Sequence, residues 1–280
     1  MCQVLKVSRS AYYDWLDKPI KEPTPKEITL VAEVKKTHAS SKATYGYRRI
    51  HTKLVKSGYS CSKWEIRKIM KYHGLTCRVK RKFKATTNSN HNYPVAPNLV
   101  NQNFKVGAPK KLWFGDITYI GTDEGWLYFA AVLDAYHKKI PGMAFSDRIT
   151  KELTITALQR AIDRESPLPG LIFHSDRGSQ YAAYAFQDLL KDNGIIQSMS
   201  RKGNCYDNAC MESFFATLKK EAIFDRRFRT REEAKLAILE YVYSWYNSQR
   251  IHSVLGMSPM EFEKEYYNNL AIENLNQICA

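Results

Sequence analysis

Leu171-Ile172-Phe173-His174-Ser175-Asp176-Arg177-Gly178 is an apolar run that ends in a carboxylate and a glycine turn. A short apolar run bounded in this way reads as a buried β-strand. Thirty-five residues lie between Asp176 and Glu212, the acid of Asp207-Asn208-Ala209-Cys210-Met211-Glu212-Ser213-Phe214-Phe215-Ala216-Thr217-Leu218-Lys219. That second segment reads as a helix, with Asp207 as its N-cap. Upstream, Trp113-Phe114-Gly115-Asp116-Ile117-Thr118-Tyr119-Ile120 alternates as a strand and carries a third acid, Asp116.

Working outward gives the fold. Residues 112–120 and 126–133 predict two strands joined by a turn over Gly121 to Gly125. Residues 139–145 predict a third strand, placed at an edge or bulge by Pro141. An amphipathic helix over 151–164, the strand 171–175, a helix over 184–193 stopped by Gly194, a strand over 195–199 and the Glu212 helix follow. Thr230-Arg231-Glu232-Glu233 is a capping box opening a further helix to about Trp245. Three hairpin-joined strands followed by alternating helices and strands predict an α/β fold. Its sheet is mixed and five-stranded with helices on both faces, the ribonuclease-H-like order.

The charge is unevenly spread. Of the net +15, residues 1–108 carry 22 Lys and Arg against 6 Asp and Glu, leaving 21 against 22 for residues 109–280. A basic front end on a nearly neutral body points to nucleic acid. Ser8 caps a short helix ending before Pro19, and the residues before it read as the tail of a helix cut short at Met1. Tyr47, Ile50 and Leu54 are at helical spacing, Gly58 ends that helix, and Ser62-Lys63-Trp64-Glu65 is a capping box for the next. The second helix turns Ile66, Ile69 and Met70 inward and Lys63, Arg67, Lys68 and Lys71 outward. This is the pattern of a helix-turn-helix DNA-binding region. The alternative is a helical hairpin that packs on a partner. Arg78, Lys80, Arg81 and Lys82 form a cluster suited to phosphates of any base sequence. The six cysteines are scattered and read as free thiols, and no run is long and apolar enough for a membrane span or a signal peptide.

Three acids on two strand ends and a helix suggest a metal site for cutting and joining DNA. Two divalent ions, Mg²⁺ or Mn²⁺, roughly 3.5–4 Å apart activate a nucleophile and stabilise the leaving oxygen of a phosphodiester. Such ions take hard oxygen ligands and keep waters, so Asp116, Asp176 and Glu212 suffice as both catalytic and metal-holding residues. Lys219 lies about two helical turns beyond Glu212 and is expected on the same side, holding the phosphate or DNA end. No His/Cys pair matches Cys205 and Cys210 for zinc.

These motifs together resemble the transposases of the bacterial insertion-sequence-three family, specifically the product of its second reading frame, which are related to retroviral integrases. The resemblance is carried by the segments around Asp116 and His174–Tyr181, by Asp207 through Glu212 to Lys219, by Tyr45–Ile50, and by Tyr246-Asn247, Arg250, His252, Leu255-Gly256 and Ser258-Pro259. It implies a metal-dependent strand-transfer enzyme in which water and then a DNA 3′-hydroxyl attack phosphodiesters. It also implies double-stranded DNA (element ends and target) as partner and a bacterial cytoplasmic, nucleoid-associated location. A homo-oligomer on DNA and an upstream first-frame product, fused or separate, are further implied partners. The organisation expected is a helical fragment and linker (1–26), a helix-turn-helix domain (27–79), a basic and Asn/Pro-rich linker (80–108), an integrase-like core with a C-terminal helix (109–265) and a tail (266–280). Two other functions share these features: a DNA-binding or inhibitory product that is idle without the fusion, and a ribonuclease-H-like nuclease.

Overall fold

The structure, a computed structural model, describes residues 2, 4, 7–17, 24–77, 93–201 and 205–278. The chain divides into two compact units, Met1–Cys77 and Arg78–Ala280.

The first unit is helical. Helix α1 (Arg9–Leu16) is capped by the Ser8 hydroxyl, which accepts from the Ala11 amide, and all of its residues are exposed. Helix α2 (Pro25–Ser40) was not foreseen, although its start obeys local rules. The Thr24 hydroxyl accepts from the Glu27 amide, Glu27 accepts from the Thr24 amide at 2.8 Å, and Pro25 occupies the first turn. Helices α3 (Tyr47–Lys56) and α4 (Lys63–Tyr72) follow, the latter opened by the Ser62/Glu65 box. Leu30 and Val34 of α2 join Ile50, Leu54, Ile66 and Met70 in one small core. The helix-turn-helix pair therefore rests on a third helix.

The second unit is built on a sheet of β1 (Leu112–Thr122), β2 (Gly125–Asp134), β3 (Gly142–Ser146), β4 (Ile172–Ser175) and β5 (Ile196–Met199). The spatial order is β3-β2-β1-β4-β5, with β1–β2 and β2–β3 antiparallel and β4 and β5 parallel to β1. This is the ribonuclease-H-like arrangement, with β3 at an edge as Pro141 suggests. Helices α5 (Lys151–Glu165), α6 (Ser179–Ala182) and α7 (Tyr184–Asp192) belong to one face; α8 (Ala209–Leu218) and α9 (Arg231–Glu240) belong to the other. Alternation along the strands divides the core in two. Phe114, Phe129 and Leu133 meet Met211, Phe214 and Ile238, whereas Trp113, Ala130 and Phe173 meet Leu158, Phe186 and Leu190. A Cβ at Gly142 would collide with the Ala157 carbonyl of α5, and one at Gly115 with the Phe173 ring, so both contacts require glycine.

Three expectations change. Residues 93–108 are more than a linker: Val100 is buried in the core and the Leu99 amide donates to Ser198 Oγ at 2.9 Å. Residues 266–278 continue α10 (Pro259–Ile278) rather than forming a tail. At Thr230 only half of a capping box forms, because Glu233 accepts from the Arg229 amide at 2.8 Å while its own amide donates to Thr230. Among the described residues no helix is long and apolar enough to cross a membrane.

Candidate active site

The parallel strands β1 and β4 pair only from Leu112↔Ile172 to Gly115↔Ser175. Asp116 and Asp176 are therefore the next residues on each strand, where the two chains part. Beyond this point β1 runs on to Thr122 paired with β2 alone among the strands, while the other chain turns into α6. A split between parallel strands at their carboxyl ends is where open α/β sheets form clefts. Apolar packing of Trp113 and Phe173 below holds the two acids in register.

Each carboxylate is oriented by a nearby amide. Asp116 Oδ1 accepts from the Ile117 N–H at 2.7 Å, and Asp176 Oδ1 from the Gly178 N–H at 2.9 Å. Burial, followed by the charge of Asp176, raises the Asp116 carboxyl well above the usual carboxylate range; Glu212 adds to the rise, and Lys219 and the Ile117 amide oppose it. Glu212 stands exposed on the first turn of α8, its carboxyl raised by partial desolvation. The three acids thus form one field of negative charge with a cation at its edge.

Their donor set is oxygen alone, which fits a hard divalent ion, and their mutual repulsion is the electrostatic condition that such an ion relieves. Among the described residues no three His, Cys, Asp or Glu side chains close around one point as a finished metal cage. A magnesium-type ion that keeps its waters needs only one or two carboxylates, so an open acidic fork suffices.

Lys219 lies on the side of the acids that the two-turn count from Glu212 gives, but buried rather than open to solvent. Helix α8 ends at Leu218 and Lys219 opens a π-helical turn (Lys219–Ile223), but Lys219 is itself α-helical and its amide donates to the Phe215 carbonyl, so the helix is regular from Glu212 to this point. The residue is only 4% exposed, with Nζ 5.0 Å from the centre of the Tyr119 ring. Burial lowers its ammonium to about 8, with the charge of Asp116 opposing the fall. Lys219 serves the Asp116 side of the fork, beneath Tyr119.

Two tyrosines near the acids stand in the motifs read from the sequence but receive no role there. Tyr119 lies three residues after Asp116 and covers Lys219. Tyr181 is buried, and its phenol is pushed well up by burial and then by Asp116 and Asp176. The Gly178 turn leading into the short α6 was the available signal for Tyr181.

His174 is structural. Fully buried, it bonds through Nδ1 to Ser198 Oγ (2.9 Å) and through Nε2 to Ser200 Oγ (3.1 Å), and burial lowers it to about 4. Asp207 is not the N-cap of α8. Asn208 takes that position, without a side-chain bond, and Asp207 lies buried in a 3₁₀ turn (Cys205–Asn208). It accepts from Asn98 Nδ2, Gln102 Nε2 and the amide, Nε and Nη2 of Arg201; Arg201 above all, with Gln102, holds its carboxyl down to about 2. Its work is to tie three separate segments together at the entry to the Glu212 helix.

Behind the site, Arg250 makes a two-oxygen ion pair with Glu221 (2.8–3.1 Å), and Tyr241 Oη donates to Glu221 Oε2 at 2.9 Å. All three are buried. Glu221 belongs to the Lys219 turn and Tyr241 to a second π-helical turn (Tyr241–Tyr246), so the network braces the chain that follows α8.

In the first unit, Lys63, Arg67, Lys68 and Lys71 are all exposed on α4. Lys68 Nζ lies 5.2 Å from the centre of the Trp64 ring, which is 67% exposed, and Arg67 lies over Tyr47. Arg78, Lys80, Arg81 and Lys82 lie outside the described residues.

Residues 107–205 and 212–267 each match a family described as integrase core domain, and residues 26–83 match an HTH-like domain. The chain is 47% identical to a 31 kDa protein of insertion element IS600 from Shigella sonnei, across 97% of this chain and all of that protein. It is 38% identical to the transposase InsF of insertion sequence IS3A from Escherichia coli K12, across 95% of this chain and 93% of that one. Among solved structures, the magnesium complex of the HTLV-2 integrase catalytic core domain is similar at 16% identity and a TM-score of 0.46, covering 57% of this chain and 99% of that one.

Proposed function

The chain belongs to the insertion-sequence-three transposases, and from that premise we propose that Asp116, Asp176 and Glu212 are the acids at which it cuts and rejoins DNA. Its reaction class is polynucleotidyl transfer with endonucleolytic cleavage, carried by an integrase core. The observation that supports the site is the fork: two acids next to each other in register where β1 and β4 part, with the Asp116 carboxyl raised by Asp176 and Glu212.

Divalent ions, two of Mg²⁺ or Mn²⁺, supply Lewis acidity to the scissile phosphate when bound there. The protein's share is to fix the carboxylates. Asp116 and Asp176 are held by their amide bonds, and Glu212 by the buried Met211 and Phe214 beside it on α8. Water is the nucleophile in the cleaving step and a DNA 3′-hydroxyl in the joining step, each displacing a 3′-oxygen or its equivalent in line. Lys219 balances the charge of Asp116 as the phosphate enters. The exposed basic face of α4, with Lys63, Arg67, Lys68 and Lys71, meets DNA phosphates, and Arg78, Lys80, Arg81 and Lys82 extend that charge along the sequence. Two DNA ends must be joined, so the working form is a homo-oligomer on DNA, with an upstream first-frame product fused or separate.

The decisive experiment is Glu212→Gln in the full chain, assayed for cleavage and joining of the element's own ends. The expected loss is roughly three to six orders of magnitude in rate with DNA affinity retained. Undiminished joining would remove Glu212, and with it the triad, from the reaction.

A further inference from the structure

We propose that the arginine-rich turn Arg226–Arg231 is a second DNA-backbone site, set to grip phosphates about seven base pairs from the point of strand cleavage. The proposal rests on the strand-transfer reading of the fork.

Residues 109–280 are almost electrically neutral, yet Arg226, Arg227, Arg229 and Arg231 fall within six consecutive positions. A solvated surface does not require such crowding. Arg231 holds the fold through its amide to Glu124 Oε2 (2.8 Å) and its side-chain Nε to the Trp126 carbonyl (3.0 Å). Arg226, Arg227 and Arg229 are exposed. Arg227 pairs with Asp123 at 3.1 Å, with side chains 85% and 44% exposed, an arrangement weak enough in water to yield to a phosphate.

The backbone beneath these heads is fixed. Phe228 is 2% exposed, its carbonyl accepts from the Asp123 amide at 3.0 Å, and the Arg229 amide is taken by Glu233. Asp123, Arg227 and Arg229 line a cleft of about 570 Å³. A fixed backbone presenting planar guanidinium groups into a concave surface is preorganised for phosphate oxygens, which arginine binds in pairs.

The turn also lies on a line with the acids. Asp123 is seven residues beyond Asp116 along extended β1, a span of roughly 23 Å. That equals about seven base pairs at 3.4 Å each. Side chains bridge the interval: Tyr119 covers the buried Lys219 and meets Trp126 edge-on at 5.0 Å, and Arg231 binds the Trp126 carbonyl. Trp126 is 52% exposed, giving the path a surface on which DNA can lie.

The test is a salt titration of equilibrium binding, without divalent metal, between the full chain and a random-sequence duplex of about 30 base pairs. The Arg226→Glu/Arg229→Glu variant is expected to reduce the slope of log affinity against log salt by about two. Asp123→Asn, which releases Arg227, is expected to tighten binding. On DNA carrying the cleavage site, the double variant is expected to lose backbone protection about five to nine base pairs from the cut. An unchanged slope or an intact footprint in a double variant with wild-type melting temperature overturns the proposal. If the double variant melts early, Asp123→Asn decides, and unchanged affinity overturns it. Binding needs no cleavage, so the two readings fail separately. A reduced slope in the double variant together with undiminished joining by Glu212→Gln sinks the fork alone, whereas loss of joining by Glu212→Gln with an unchanged slope in the double variant sinks only the arginine turn.

Discussion

Asp207 at the entry to α8 and Asp116 at the fork share one fold, yet their surroundings treat negative charge in opposite ways. Asp207 is filled: donors from Asn98, Gln102 and Arg201 occupy its oxygens, and Arg201 above all, with Gln102, holds its carboxyl down to about 2. Asp116 has one amide on Oδ1 and is pushed upward by burial and by Asp176 and Glu212. An acid that stabilises a structure is surrounded by its partners, whereas an acid kept for an external cation is surrounded by other acids. Glu221, enclosed by Arg250 and Tyr241, belongs with Asp207.

The contrast is easiest to break at Glu221. Glu221→Gln leaves the Arg250 guanidinium buried without its counter-charge, and the expected loss is about 3–5 kcal/mol of stability, read by denaturant unfolding. A loss below about 1 kcal/mol would show that the buried pair does not brace the chain behind α8. Next, Asp207→Asn and Asp116→Asn are expected to move the melting temperature in opposite directions. Asp207→Asn lowers stability by on the order of 2 kcal/mol, the linkage value of its depressed carboxyl, and Asp116→Asn raises it by relieving repulsion. Equal shifts of one sign would erase the distinction between filled and open acids.

The smallest effect is in pH. His174 titrates at about 4 in the fold against an ordinary value near 6.5, so the unfolded chain binds its proton first as pH falls. Its stabilising contribution is complete above about pH 6.5 and drains away toward pH 4, while that of Asp207 is lost between about pH 4 and 2. His174→Gln is expected to flatten the upper step in a melting-temperature series and to leave the lower one. A curve still falling between pH 6.5 and 4 in that variant would assign the step to another group.

Much of this was legible in residue order. The strands and helices of the second unit follow from alternation and helical spacing, which put Asp116 within the first strand and Asp176 at the end of the fourth. What was not legible depends on distant partners. Asp207 reads as a cap because a local rule places Asp before a helix, while its real donors include Asn98 and Gln102, about a hundred residues earlier. Residues 93–108 look like a linker because their apolar positions have no period, yet Val100 is buried and Phe104 and Val106 pack against the same core. Helix α2 was missed despite the local signature at Thr24 and Glu27, since Leu30 and Val34 make a narrow apolar face. Counting by turns gives the side of α8 on which Lys219 lies, but not its burial beneath Tyr119 of β1.

The π-helical turn that begins at Lys219 carries a consequence for descent. Its Phe224 amide reaches back five residues to the Lys219 carbonyl, the pattern left when a helix has accommodated one residue more than its pitch allows. Removing one residue there would let the turn close to ordinary α-helical pitch and shift the side chains within it by about 100°. Glu221 would swing out of its pocket and Arg250 would face nothing. Chain length between Glu212 and the Arg250 segment is thus a tuned quantity, and a gap or insertion in this interval of a relative signals a rebuilt brace rather than a neutral change of loop.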